Sequence, residues 1–129
     1  MQKNEQPRRY DLEERTFAFA REVRAFVRDL PRTLSNVEDV KQLIRASGSV
    51  GANYIEANEA LSKKDFALRA KICRKEAKES RFFLRLLNTG SKKEVEAKHS
   101  ALVQEAAELT NIFGAIVRKC ESKNERIAE

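Results

Sequence analysis

Apolar residues recur every three or four positions along four stretches of the chain, which is the spacing of one face of an α-helix. The first stretch follows Asp11 and is interrupted by Pro31, which predicts a helix over about residues 11–30. The second follows Asn36, which we expect to be the N-cap residue, and continues to about Leu61. The first helix should bury Leu12, Phe19, Val23, Phe26 and Leu30.

The third and fourth stretches carry the same helical repeat. Ser62 precedes Asp65 by three residues, as in a capping box, and this predicts the start of a helix that ends near Gly90. The third helix should bury Phe66, Ala70, Cys73, Ala77, Ser80, Leu84 and Leu87. The fourth should bury Val95, His99, Leu102, Ala106, Leu109, Phe113, Ile116 and Cys120.

Four helices joined by connections of a few residues predict an all-α, antiparallel, up-down-up-down four-helix bundle. One domain over residues 10–122 accounts for the whole pattern, and we expect the polar residues 1–9 and 123–129 to fray. The composition agrees, because four Gly and two Pro among 129 residues are too few for a β-sandwich, a barrel or a disordered chain.

The chain carries no sign of a membrane or secreted protein. No apolar run approaches the roughly 20 residues that span a bilayer, and the polar N-terminal residues do not resemble a signal peptide. We therefore expect a cytoplasmic protein without membrane contact. In that reducing compartment Cys73 and Cys120 should be free thiols packed in the core, not a disulfide.

The second helix has an unusual second face, because its residues are small or polar where a solvated helix normally carries Lys and Glu. Two glycines inside this helix cost roughly 1 kcal/mol each against alanine, so a neighbouring helix should approach closely. Three alternatives explain the small and polar residues of this face: tight packing within the chain, a contact between subunits, or a ligand site. The subunit contact would centre on Ser49, Asn53 and Glu56.

Positive charge is concentrated on the third helix. The chain has a formal net charge of +6, yet residues 63–93 alone hold 11 of its 26 basic residues and 3 of its 20 acidic ones. At about 100° per residue, seven cations of this helix fall within about 120° and extend for about 32 Å along the axis. We call them the basic stripe: Lys64, Lys71, Arg74, Lys75, Lys78, Arg81 and Arg85.

The length and the positive charge of the basic stripe fit the phosphates of a nucleic-acid strand. We therefore interpret the stripe as a nucleic-acid binding surface. Runs of charge are often only solvated faces, and this one could be neutralised across helices by Glu105 and Glu108. Binding to a membrane surface is a further alternative, although the chain has no free amphipathic anchor. Phe82 lies among the cations, and it would either stack on an unpaired base or serve as a core or interface aromatic.

The order of several short motifs resembles a known family. They are R-A-S-x-S-V-x-A-N-x-x-E-A at Arg45–Ala57, S-K-K-D-F at Ser62–Phe66, and K-E-A-K-E-S at Lys75–Ser80 followed by L-R-L-L. Y-D-L-E-E-R-T at Tyr10–Thr16 adds to the likeness. The chain resembles the four-helix bundle proteins encoded within intervening sequences of bacterial large-subunit ribosomal RNA genes. It is also similar to the accessory proteins of diversity-generating retroelements.

The resemblance implies a basic homopentamer with a role related to RNA. It supplies no catalytic or binding residues, because the family has no agreed set. Two positions depart from the family pattern: Phe82-Phe83 stands where a Trp is often found, and Ala57 where Gly is common. Neither departure changes the expected fold.

Residues suited to catalysis are scarce, so we predict no enzymatic activity, no metal and no cofactor. The single histidine, His99, lies on the apolar line of the fourth helix, where a partly buried structural role is the expected one. Bundle metal sites use Glu-x-x-His pairs from more than one helix, and one histidine supplies only one such pair. The chain has no Cys-x-x-Cys motif and no glycine-rich phosphate loop.

Three functions remain to be compared. The leading one is a homo-oligomeric accessory protein that binds RNA or DNA phosphates through the basic stripe. Its rival is a scaffold whose basic face binds an acidic protein, such as a reverse-transcriptase-like or ribosome-associated partner. A small hydrolase is the third, and it would need a pocket of converging polar groups that the sequence does not display.

Overall fold

The computed structural model describes the backbone of residues 8–128 and the side chains of residues 12–122. Within this range the chain forms four α-helices and no strand: α1 (Arg8–Val27), α2 (Leu34–Asn58), α3 (Lys63–Leu86) and α4 (Lys93–Ala128). The all-α class is therefore confirmed. Fraying was predicted for residues 1–9 and 123–129, and these lie outside the fully described residues, although the helical backbone begins at Arg8 and continues to Ala128.

The caps of α2 and α3 test the predicted helix starts. Ser62 caps α3 as predicted, since its hydroxyl oxygen accepts from the amide of Asp65 at 3.0 Å. The prediction for α2 is wrong, because the helix begins at Leu34 and its N-cap residue is Thr33. The Thr33 hydroxyl accepts from the amide of Asn36 at 3.1 Å, which places Asn36 inside the first turn.

Three helices end earlier than the sequence predicts. α3 ends at Leu86 instead of near Gly90, and Gly90 takes its positive φ of 76° in the connection beyond the helix. α1 ends at Val27, and Leu30 is held by a tighter turn in which its amide donates to the carbonyl of Val27 at 3.3 Å. The physical reason is Pro31, whose ring disfavours helical backbone in the residue before it. α2 ends at Asn58 instead of Leu61, with Glu59 as its C-cap.

Each helix contacts two neighbours: α1 packs against α2 and α4, and α3 packs against α2 and α4. Contacting residues run in opposite order on α2 and α3. The Asn36 side chain of α2 bonds to Asn88 just beyond α3, whereas Asn53 bonds to Arg69. This order and the short connections are consistent with an up-down-up-down bundle.

The core lies along the predicted apolar lines. All five apolar residues predicted for α1 are buried, and so are Cys73, Ala77 and Leu84 of α3. On α4 the predicted line is buried from Val95 to Phe113 except at His99, which is half-buried. In the next turns Val117 is the buried residue, and the predicted Ile116 and Cys120 are only half-buried. A strict seven-residue repeat drifts by about 20° per heptad on a straight helix, which accounts for this late change of position.

A close approach between α1 and α2 explains one of the helical glycines. A Cβ atom added at Gly51 would lie 3.0 Å from the hydroxyl oxygen of Thr16, and Thr16 is itself buried. The Thr16 hydroxyl is already used, since it bonds to the carbonyls of Leu12 and Glu13 on its own helix. Tight packing within the chain is therefore confirmed at Gly51.

Asn36 joins the two connections at one end of the bundle. Its side-chain amide donates to the carbonyls of Pro31 and Asn88, each at 2.9 Å, and its side-chain oxygen accepts from the amide of Asn88 at 3.0 Å. The residue is only 2% exposed. The α1–α2 and α3–α4 connections are thus held together by one fully used side chain.

Both cysteines are free thiols, as predicted. Cys73 is buried on α3 and donates weakly to the carbonyl of Val50 at 3.4 Å. Burial raises the pKa of the Cys73 thiol to about 12. Cys120 on α4 is only half-buried.

We expect Asn36→Ala to lower the free energy of unfolding by about 2–3 kcal/mol, because the three hydrogen bonds made by a buried side chain are lost. Urea denaturation followed by circular dichroism at 222 nm measures the change. Asn111→Ala, at an exposed position of α4, is the matched control and should change the free energy by less than about 0.5 kcal/mol. An Asn36→Ala protein as stable as this control would contradict the structural role.

We expect the two thiols to differ in reactivity, since the thiolate is the reactive form and only Cys120 is accessible. Ellman's reagent at pH 8 should modify one thiol per chain in the folded protein and the second only after urea is added. Replacing Cys120 with Ser should remove the accessible thiol. Rapid modification of Cys73 in that variant would show that the core opens.

Candidate nucleic-acid interface

The basic stripe lies on the outer side of α3. Six of its seven residues are exposed, and Arg74 is half-buried. Cys73, Ala77 and Leu84 of the same helix face the core. The cations are therefore rotated about the helix axis away from this buried line, by most of half a turn. The structure thus leaves them accessible together along one face.

Two carboxylates of α3, those of Glu76 and Glu79, pair with an arginine of α2. Arg45 of α2 places one guanidinium nitrogen 3.5 Å from a carboxylate oxygen of Glu76 and another 3.1 Å from an oxygen of Glu79. The Glu76 side chain is only 7% exposed. Its Oε1 atom has no hydrogen bond within the described residues, and the guanidinium of Arg45 provides its nearby opposite charge.

Glu105 and Glu108 of α4 pair with α1 and not with the basic stripe. Arg15 donates to Glu105 through two nitrogens at 2.7 and 2.9 Å and to Glu108 at 2.7 Å. The hydrogen bond to Glu105 is the main cause that raises the pKa of Arg15. Hydrogen bonds from Gln104 and then Arg15 lower the pKa of Glu108. The expectation that these two carboxylates neutralise the stripe is therefore wrong.

Two cations of the stripe have weak ion pairs. Lys71 lies 3.5 Å from Glu121 of α4, and Lys75 lies 3.8 Å from Glu76. Both lysines remain about half to two-thirds exposed, and ion pairs of this kind contribute little to stability. Another anion can therefore replace the carboxylate that pairs with each lysine. Within the described residues the others have no ion pair, namely Lys64, Arg74, Lys78, Arg81 and Arg85.

The tertiary structure adds a cation that the sequence argument missed. A Cβ atom added at Gly114 of α4 would lie 3.4 Å from a guanidinium nitrogen of Arg118 and 3.8 Å from the Cδ of Arg74. Two arginines from neighbouring helices therefore approach the same glycine. The spacing of Gly114 and Arg118, four residues apart in one helix, was the only signal in the sequence.

Phe82 is not a core residue, so that alternative is wrong. Its side chain is 55% exposed, and it packs edge to face against Phe83 with ring centroids 5.2 Å apart and an angle of 83° between the rings. Stacking on a base and contact with another protein remain as explanations for its exposure.

The predicted subunit contact on α2 is partly occupied by contacts within the chain. Asn53 donates to the carbonyl of Ser49 at 2.9 Å and accepts from Arg69 of α3 at 2.9 Å. Ser49 and Asn53 are half-buried, whereas Glu56 is exposed and has no ion pair with a described residue. The structure therefore brings Ser49 and Asn53 together and leaves Glu56 exposed to solvent.

Other kinds of site have little support in the described part of the chain. No group of three metal-binding side chains occurs among these residues. His99 has its Nε2 atom 2.6 Å from the carbonyl of Leu84 and its ring stacked near Phe26 at 5.9 Å, as a structural histidine would. Among the described helices, none combines the length and apolar character needed to cross a bilayer.

Comparison with known proteins identifies the family. None of the curated proteins matches the chain. A solved structure from Bacteroides thetaiotaomicron, described as a protein of unknown function from the S23 ribosomal protein family, is similar at 25% identity and a TM-score of 0.69. The match covers 81% of this chain and 96% of that one. Residues 8–115 match the family called 23S rRNA-intervening sequence protein. With most of its length matched and the same helical fold, the chain belongs to the 23S rRNA-intervening sequence protein family.

Proposed function

We propose that the protein is a non-enzymatic, homo-oligomeric accessory protein that binds RNA through the phosphate backbone. The supporting observation is the separation of charge on the bundle surface. Five cations of the basic stripe have no ion pair among the described residues, while Glu79, Glu105 and Glu108 pair with arginines of α1 and α2. The family name, which refers to ribosomal RNA, supports RNA as the nucleic acid.

Phosphate binding suits a row of exposed Lys and Arg side chains. Such contacts release condensed counterions, so they supply affinity that depends on salt and very little on base sequence. The up-down-up-down bundle that we propose places α3 between α2 and α4, which leaves its outer face free for a strand. Arg118 extends that surface onto α4 beside Arg74.

We propose that copies of the chain assemble through the second face of α2, around Ser49, Asn53 and Glu56. A pentamer is the order that the family resemblance implies. Repeating the basic stripe in each copy would let weak phosphate contacts act together through avidity.

A second candidate is a cytoplasmic scaffold that binds an acidic protein. The observation in its favour is apolar surface on α3, where Leu68 and Leu86 are 55% and 52% exposed. A protein partner would bury these side chains, whereas phosphates would not. Replacing Leu68 and Leu86 with Ser therefore weakens binding only if the partner is a protein.

We expect Lys78→Glu combined with Arg81→Glu to weaken binding to every RNA sequence alike, because both residues are exposed and lie off the core. Fluorescence anisotropy between 50 and 200 mM salt measures the affinity and its salt slope. Loss of two phosphate contacts should make the slope of log affinity against log salt concentration less steep, by about 1.4 on a single strand and about 1.8 on a duplex.

The matched control makes the same change of charge elsewhere, at the exposed Arg28 and Lys98, both to Glu. This control lowers the net charge equally, so it separates a local site from a general effect of charge. If the control weakens binding as much as the stripe variant, or if neither does, the basic stripe is not the binding surface.

We expect Glu56→Lys to weaken assembly without loss of helicity, since the side chain is exposed and no described residue pairs with it. Asn53→Leu should also weaken assembly, but it removes the bond to Arg69 as well, so Glu56→Lys is the cleaner test. Native mass spectrometry measures the oligomer, and Glu14→Lys on the exposed side of α1 is the control. A parent protein that remains at the 14.8 kDa monomer mass at tens of micromolar would contradict assembly.

A further inference from the structure

Phe82 is an unusual residue for its position. Large aromatic side chains are normally buried, yet this one is 55% exposed and lies outside the buried line of α3. Lys78 lies one turn before it, Arg81 precedes it directly, and Arg85 follows three residues later. Residues three and four apart are neighbours on a helix surface, so the aromatic ring has cations on both sides along the axis.

The neighbouring Phe83 restrains the exposed ring. The two rings meet edge to face, with centroids 5.2 Å apart. Phe83 is half-buried and packs against the hydrophobic core, so it connects Phe82 to the rigid part of the bundle. A ring held in this way loses little conformational freedom when a flat ligand stacks on it.

We propose that the basic stripe binds unpaired strands in preference to duplexes, with Phe82 as the stacking site for a nucleobase. This inference rests on the proposed function and adds the class of nucleic acid. Bases of a single strand can leave their stack and offer a face to an aromatic ring, whereas bases of a duplex are stacked and paired. Lys78, Arg81 and Arg85 would then hold the phosphates on either side of the stacked base.

Charge favours a nucleic acid over a second copy of the chain as the occupant. A second copy docked face to face on this surface, about a twofold axis, would place its own Lys78, Arg81 and Arg85 against the same three cations. None of these three has an ion pair with a described residue, so their repulsion would not be relieved. A polyanion that also carries flat aromatic groups satisfies both the cations and the ring.

The test compares one 20-nucleotide RNA as a single strand of mixed sequence and as a duplex with its complement, by fluorescence anisotropy. Phe82→Ala should weaken binding of the single strand by about 5- to 150-fold and change binding of the duplex by less than about twofold. Phe82→Leu keeps the apolar bulk but removes the aromatic face, so it should show the same selective loss. Phe82→Trp should bind the single strand at least as well as the parent.

Phe17→Ala is the matched control. Phe17 is also an exposed aromatic, 59% accessible, and it lies beside Arg21 with the guanidinium 5.4 Å from the ring, but it is on α1. This variant should bind both RNAs like the parent. Thermal melting and native mass of each variant show whether folding or assembly has changed.

The possible failures can be distinguished. A parent protein that binds neither RNA overturns the proposed function together with this inference. If the parent binds RNA and the Lys78/Arg81 variant loses binding, but Phe82→Ala affects both RNAs equally or neither, only the stacking role is overturned. A Phe82→Ala protein with a smaller native mass would show that the ring belongs to a subunit interface, which also overturns it.

Discussion

Ion pairs between neighbouring helices decide which charges on the bundle surface have a partner. Arg15 on α1 holds Glu105 and Glu108 of α4, and Arg45 on α2 holds Glu79 and the buried Glu76 of α3. The exposed pairs contribute little to stability. Their larger effect is electrostatic, because they pair Glu79, Glu105 and Glu108 with arginines of α1 and α2 and not with the basic stripe. Five of the seven cations of the basic stripe are left without an ion pair among the described residues.

Packing of the backbone makes that surface rigid. Gly51 lets α2 approach Thr16 of α1 closely, and Asn36 ties the connection before α2 to the connection after α3. α3 has α2 on one side and α4 on the other, so the backbone positions that carry the basic stripe are held by contacts on two sides. A rigid array of charges spends less free energy on ordering when a flexible strand binds.

The proposed parts of the surface have separate physical roles. Phosphate contacts by the basic stripe would supply affinity without regard to sequence, and Arg118 beside Arg74 would widen the contact onto α4. Stacking on Phe82 would distinguish an unpaired strand from a duplex, since only the former offers a free base. Assembly through α2 would multiply both effects, because it uses a different helix and leaves α3 accessible.

Local features were determined by the sequence alone: the four helices, the buried line of α1, the Ser62 cap and the arc of cations on α3. Each depends on residues within one or two helical turns, where the 3.6-residue period governs position. Only the tertiary structure showed that Asn36 lies inside the first turn of α2 and bonds with Asn88, and that Glu105 and Glu108 pair with Arg15. Only the tertiary structure showed, too, that Arg118 and Arg74 both approach Gly114. These contacts join residues that are distant along the chain, and which helix lies beside which face decides them.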